Sequence, residues 1–159
     1  MEKNFFQEVW ERFKMPWKYS AFRSYFIWIV LIFGGFGIFL TILKVSKSPD
    51  IKGFVVAQDM STYFIAIIAA SLVDLNLSFS IKNIASLIIN SLAFFGVSLL
   101  LLYLAYNLES NWAFVPASLG VVLSLVIWVL ANADNEKLSD SNYYDMMRGK
   151  DVGHGSNWQ

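Results

Sequence analysis

The chain contains no cysteine, so neither a disulfide framework nor a thiolate metal site is open to it. Its one histidine, His154, lies between glycines in a polar stretch and reads as a solvated side chain. Charge is scarce: 15% of residues are Asp, Glu, Lys or Arg, and the two signs cancel, so no global field attracts nucleic acid. No glycine loop precedes a lysine, no histidines pair, no carboxylates cluster within an apolar run, and no serine stands beside a histidine. Phosphate-binding, metal-hydrolase and triad signatures are therefore all missing. The expectation is a chain that is not an enzyme and has no catalytic residue, metal ligand, cofactor or direct nucleic-acid contact.

What is present is apolar length. Of the 159 residues, 57% are hydrophobic, and the mean hydropathy is +0.52. A soluble domain this short would have to bury nearly all of those side chains, which its surface-to-volume ratio does not permit. Residues 25–43 contain no charge at all. A bilayer core needs about 20 apolar residues of helix to cross it, and a helix satisfies its own backbone polar groups in lipid. Three further runs, residues 60–79, 84–106 and 112–131, have the same character. The predicted fold is an all-α integral membrane four-helix transmembrane bundle. It divides into an amino-terminal segment (1–24), the transmembrane domain (25–131) and a polar tail (132–159).

The first 24 residues do not read as a secretory signal, because the apolar run starts late and no small-residue cleavage site follows. Phe5, Phe6, Val9, Trp10, Phe13 and Trp17 recur at three- and four-residue steps, opposite Glu2, Lys3, Glu8, Glu11, Arg12 and Lys14. That pattern predicts an amphipathic helix, ended or kinked by Pro16. Its aromatic face suits either the membrane interface or packing on the bundle or a neighbouring subunit.

Orientation follows from the lysines and arginines of short loops. Nine of the twelve lie in the amino-terminal segment, the turn at Lys82 and the tail; Lys44, Lys47 and Lys52 lie in the first link. Both termini are therefore expected in the cytoplasm, which an even number of spans requires. Trp28, Tyr63, Tyr103, Tyr106, Trp112 and Trp128 are expected toward span ends, at the interfaces. Runs of this length, rather than short alternating strands, place the protein in a bacterial inner (plasma) membrane, not an outer one.

Small residues mark expected helix contacts: Gly34, Gly35 and Gly37 in the first span, and a ladder of Pro116, Gly120 and Ser124 in the fourth. The hydrophobic effect does not drive helices together in lipid, so close van der Waals approach has to. The same glycines and proline also serve as flex points in some membrane helices.

Asp74 is the one carboxylate expected within a span, where burial costs about 2.5–3.5 kcal/mol at the centre on insertion scales. Ser71 before it and Ser78 after it lie at helical steps on the same run, and Ser86 and Asn90 occupy matching steps on the third. Asp74 and Asn90 are equally far from Lys82, so a polar seam between antiparallel spans two and three is expected about 12 Å from the turn. The seam is either hydrogen-bond glue or the lining of a wet, cation-binding path. A third reading ends span two early and leaves Asp74 at the headgroups. In the tail, Tyr143, Tyr144, Arg148 and Lys150 stand among acidic residues and methionines as candidate partner-docking residues; the alternative is a disordered end.

An amphipathic start, four spans, inside termini and the stretch TYFIAIIAASLVDL from Thr62 to Leu75 resemble the membrane subunits of bacterial Kiwa antiphage systems. The resemblance covers the whole chain and implies an oligomeric inner-membrane sensor that recruits a soluble cytoplasmic effector. Residues alone leave two alternatives open: a homo-oligomeric pore or ion channel lined by the Asp74 stripe, and an immunity or accessory protein of an envelope complex. Membrane lipids, further copies of the chain and a soluble cytoplasmic protein are the expected partners.

Overall fold

A computed structural model describes residues 5–48, 50–78, 84–135 and 138; side chains of 5–9, 75–78 and 84–90 lie outside the description. All regular structure among the described residues is helical. Helix α1 (Phe5–Lys14) leads into a 3₁₀ turn, Met15–Lys18, with buried Pro16 in its first turn. A proline has no N–H and clashes with the carbonyl four residues back, so α1 stops there. Tyr19 is extended, and the chain turns into helix α2 (Ser20–Tyr25).

From Ser20 to Lys47 the chain is one long helical run with an irregular middle. A π-helical stretch, Phe26–Phe33, follows α2, and Gly34 and Gly35 form a turn before helix α3 (Phe36–Lys47). Ser48, immediately before Pro49, is extended, the conformation proline imposes on its predecessor. Helices α4 (Phe54–Ser78), α5 (Ile84–Asn107) and α6 (Phe114–Ala131) complete the chain, with a 3₁₀ turn, Asn111–Ala113, before α6.

Among the described residues three helices are long and apolar enough to cross a membrane: Ser20–Lys47, Phe54–Asp74 and Asn111–Ala131. In α5 the apolar stretch with described side chains is Ser91–Asn107. These features fit a membrane protein. The spans overrun the apolar runs that predicted them. Residues 44–59 were expected as a polar link, yet α3 continues to Lys47 and α4 starts at Phe54. A helix keeps its hydrogen bonds as it leaves the apolar region, and ends where proline or glycine interrupts it. Asp59 thereby moves from the expected link onto a helix.

Helix α4 is central: it packs on α6 along its length and also on α5, while the Ser20–Lys47 run leans on this trio. The core lies in three layers. Nearest the terminal segments are Phe22, Phe26, Val30, Trp128 and Val129; the middle holds Phe64, Ile68, Leu72 and Ile127; the far end is all alanine, with Ala57, Ala105, Ala113 and Ala117. Alanine brings helices close enough for backbone-to-backbone contact. Three buried hydroxyls turn back to their own helices: Ser61 donates to the Ala57 carbonyl (2.8 Å), Ser98 to Phe94 (2.7 Å) and Ser124 to Val121 (2.7 Å). They thus avoid the cost of an unpaired polar group.

Gly120 is buried on α6, and the Phe64 ring of α4 occupies the space that a β-carbon would take. Overpacking a core typically costs about 1–3 kcal/mol. Gly120→Leu is therefore expected to lower the thermal midpoint of the detergent-solubilised protein by several degrees, with Gly120→Ala less severe. Pairing Gly120→Leu with Phe64→Ala recovers part of the loss, which thermal circular dichroism reads directly.

Candidate functional site

The Ser20–Lys47 run meets the trio at discrete points and leaves a lateral groove against α4. Only 17% of its apolar window is buried, against 39% and 44% for the other two spanning helices. The groove encloses about 670 Å³ and runs from Tyr25 and Trp128 at one end to Lys44 and Asp59 at the other. Gly37 and Ala66 line its middle. An added β-carbon at Gly37 would meet nothing within 4 Å. Gly37 was expected at a helix contact and instead borders open space, because the first run stands off from α4 there.

Two polar clasps bridge the groove. In the π-helical stretch the Gly34 N–H bonds to the Ile29 carbonyl (2.9 Å) and the Gly35 N–H to Leu31 (3.1 Å). The hydrogen-bond register between these two glycines skips the Val30 carbonyl. The Tyr63 hydroxyl of α4 donates to that oxygen at 2.8 Å. A carbonyl left unpaired in an apolar medium is costly, so the π-helix and Tyr63 require each other. A β-carbon on Gly34 would come within 3.0 Å of the Tyr63 ring, which makes Gly34 the close-approach glycine of the pair. Gly35 has no neighbour outside its own helical run within 4 Å of the corresponding position.

The second clasp is a hydrogen bond from the Thr41 hydroxyl of α3 to the Asp59 carboxylate of α4, with Lys44 one turn further along α3. Both groups are partly buried. Neither Asp59 nor Tyr63 was expected in these roles: Asp59 was assigned to a loop and Tyr63 to a membrane interface. A readable signal existed for Asp59, since Pro49 and Gly53 are the punctuation that lets α4 begin at Phe54. None existed for Tyr63, whose acceptor is created by a backbone irregularity.

At the opposite end of the bundle the two terminal segments meet. Arg12 of α1 pairs with Asp134, just beyond α6. Phe13, Trp17 and Leu138 pack on the Phe22, Phe26 and Trp128 cluster. Trp17 stands edge-on to Phe22 (5.5 Å) and Phe26 (5.0 Å), and Tyr25 stacks on Trp128 at 6.0 Å. Trp128, expected at an interface, is instead buried in this cluster. The expected aromatic face of the amino-terminal segment is split: Phe13 of α1 and Trp17 of the 3₁₀ turn pack on the core cluster, whereas Trp10 is exposed, stacked on Phe13 (6.0 Å) with Lys14 Nζ 4.5 Å above its ring. Side chains of Phe5, Phe6 and Val9 lie outside the described residues. A charged cleft of about 640 Å³, lined by Glu11, Arg12, Lys14, Met15, Lys18 and Asp134, opens between the two segments.

Of the expected polar seam, Ser71 is buried and its hydroxyl makes no hydrogen bond among the described residues, whereas Asp74 is exposed. A three-residue step rotates a helix by about 60° short of a full turn, enough to send one inward and the other out. Ser78, Ser86 and Asn90 have side chains outside the described residues, as do Tyr143, Tyr144, Arg148 and Lys150 entirely. Gly120 and Ser124 are both buried where α6 meets α4. Among the described residues no three His, Cys, Asp or Glu side chains come together as a metal site.

Tyr63→Phe removes the α4 donor to the Val30 carbonyl while keeping the ring. A loss of about 0.5–1.5 kcal/mol is expected, with the lower end typical of membrane helices. Hydrogen exchange is expected to quicken at Gly34 to Phe36 more than in α6; equal protection in both variants refutes the clasp.

No protein-family model matches the chain, and neither curated proteins nor solved structures provide a match.

Proposed function

We propose that the protein is a four-span inner-membrane subunit with both terminal segments in the cytoplasm and α1 as an interfacial helix. It works as an oligomeric sensing scaffold whose terminal segments together recruit a soluble effector. The observation that carries this reading is the meeting of α1 with the chain just past α6, through Arg12 and Asp134 and the Phe13, Trp17 and Leu138 packing. Two segments that meet outside the bundle share one side of the membrane, which requires an even number of crossings. Helix α5 supplies the fourth: its 24 residues amount to roughly 36 Å of helix, enough to span the core.

The positive-inside bias puts that shared side in the cytoplasm. Arg12, Lys14, Lys18 and Arg23 all lie on it. Exposed Trp10 beside Lys14, next to a charged cleft, has the composition of a protein-docking surface, in which aromatic and cationic anchors carry most of the affinity. The exposed ion pair itself contributes little, about 0–1 kcal/mol; its role is to hold the two segments in register. The layout resemblance to Kiwa membrane subunits supports the same function. The exposure of Asp74 on α4 supports the pore as a second reading, because a neighbouring copy can reach it.

A mild-detergent pull-down of the full-length protein from its host, with light scattering and mass spectrometry, tests these readings. A stoichiometric soluble companion, lost by about tenfold in affinity on Trp10→Ala and on removal of residues 139–159, is the expected result. A homo-oligomer without companion, passing ions in liposomes and silenced by Asp74→Asn, replaces the scaffold with the pore.

A further inference from the structure

We propose that the lateral groove between the Ser20–Lys47 run and α4 is a binding site for one phospholipid with a primary-amine headgroup, phosphatidylethanolamine. The groove's polarity is graded as such a molecule's is. One end carries Lys44, Asp59 and the hydroxyls of Thr41 and Thr62; the remainder is predominantly apolar, floored by Trp128. Lys44 is on α3, three residues from its end, and Asp59 is on α4, five residues from its start, so both stand at headgroup depth in the leaflet opposite the terminal segments.

Lysine and aspartate on facing helices complement a zwitterion. Lys44 meets the phosphate, and the Asp59 carboxylate accepts from the ammonium while still receiving the Thr41 hydroxyl, since two carboxylate oxygens offer about four lone-pair sites. An anionic headgroup would lack the ammonium that matches Asp59. At about 30 Å³ per water-sized group, the groove's 670 Å³ is on the scale of one acyl chain.

The proposal does not rest on the recruitment reading: the polar end of the groove, at Lys44 and Asp59, lies at the other end of the bundle from α1. The test is native mass spectrometry of the full-length chain in mild detergent with an equimolar mixture of phosphatidylethanolamine and phosphatidylglycerol. Retention of one phosphatidylethanolamine, in clear preference, is expected. Asp59→Asn reduces that preference by about tenfold, the scale of one hydrogen bond to a charged group. Gly37→Leu grows into open space and displaces the lipid with helicity intact; Ala66→Leu fills the groove from the α4 side and does the same. Equal retention of both lipids, unchanged retention in a folded groove-filling variant, or disulfide-linking of two copies through Gly37→Cys overturns the proposal.

Discussion

The close approach of α4 and α6 is the contact on which the remaining packing depends. It rests on a missing side chain: Gly120 leaves room for the Phe64 ring, and that ring joins Ile68, Leu72 and Ile127 as the middle of the core. In lipid, apolar surface gains nothing by leaving its surroundings for another helix, so shape fit and dispersion have to hold the pair. The alanine layer toward the far end extends the same close fit to α5. Buried Ser61, Ser98 and Ser124 bond within their own helices and so present no unpaired hydroxyl to the packing surfaces.

The first long helical run is held by a different kind of interaction. With little of its apolar window buried, it depends on aromatic stacking around Trp128 at one end and on the Thr41–Asp59 hydrogen bond at the other. Between them the π-helical stretch presents the Val30 carbonyl to Tyr63. A polar contact in an apolar medium has few competitors, which gives it directional specificity even where its net energy is small. The consequence is a helix fixed at discrete points with a groove between them, rather than one packed along a continuous seam.

These fixings place unlike chemistry at the two ends of the bundle. One end gathers both terminal segments, an aromatic cluster and most of the described arginine and lysine residues; the other offers a lysine and an aspartate from facing helices at one end of an apolar groove. The aromatic cluster couples the amino-terminal segment to the first run and α6, since Trp17 touches Phe22 and Phe26, and these touch Trp128.

Helical class and the apolar lengths of the spanning helices were legible in the sequence because they depend on local quantities: hydropathy over about 20 residues, and Pro16, Pro49 and Gly53 as breakers. The stripe Phe13, Trp17 was likewise visible as a face, and Gly120 as a small residue on a helix. What covers each face was not. Whether Phe13 and Trp17 meet lipid or protein, that Gly37 borders a groove while Gly120 meets a ring, and that Asp59 and Tyr63 reach another helix depend on helix rotation and on one backbone irregularity. Periodicity states which residues share a face; only packing between distant segments decides where that face points. That is why composition determined the helical, membrane-compatible class, and tertiary structure alone decided the clasps, the groove and the meeting of the two terminal segments.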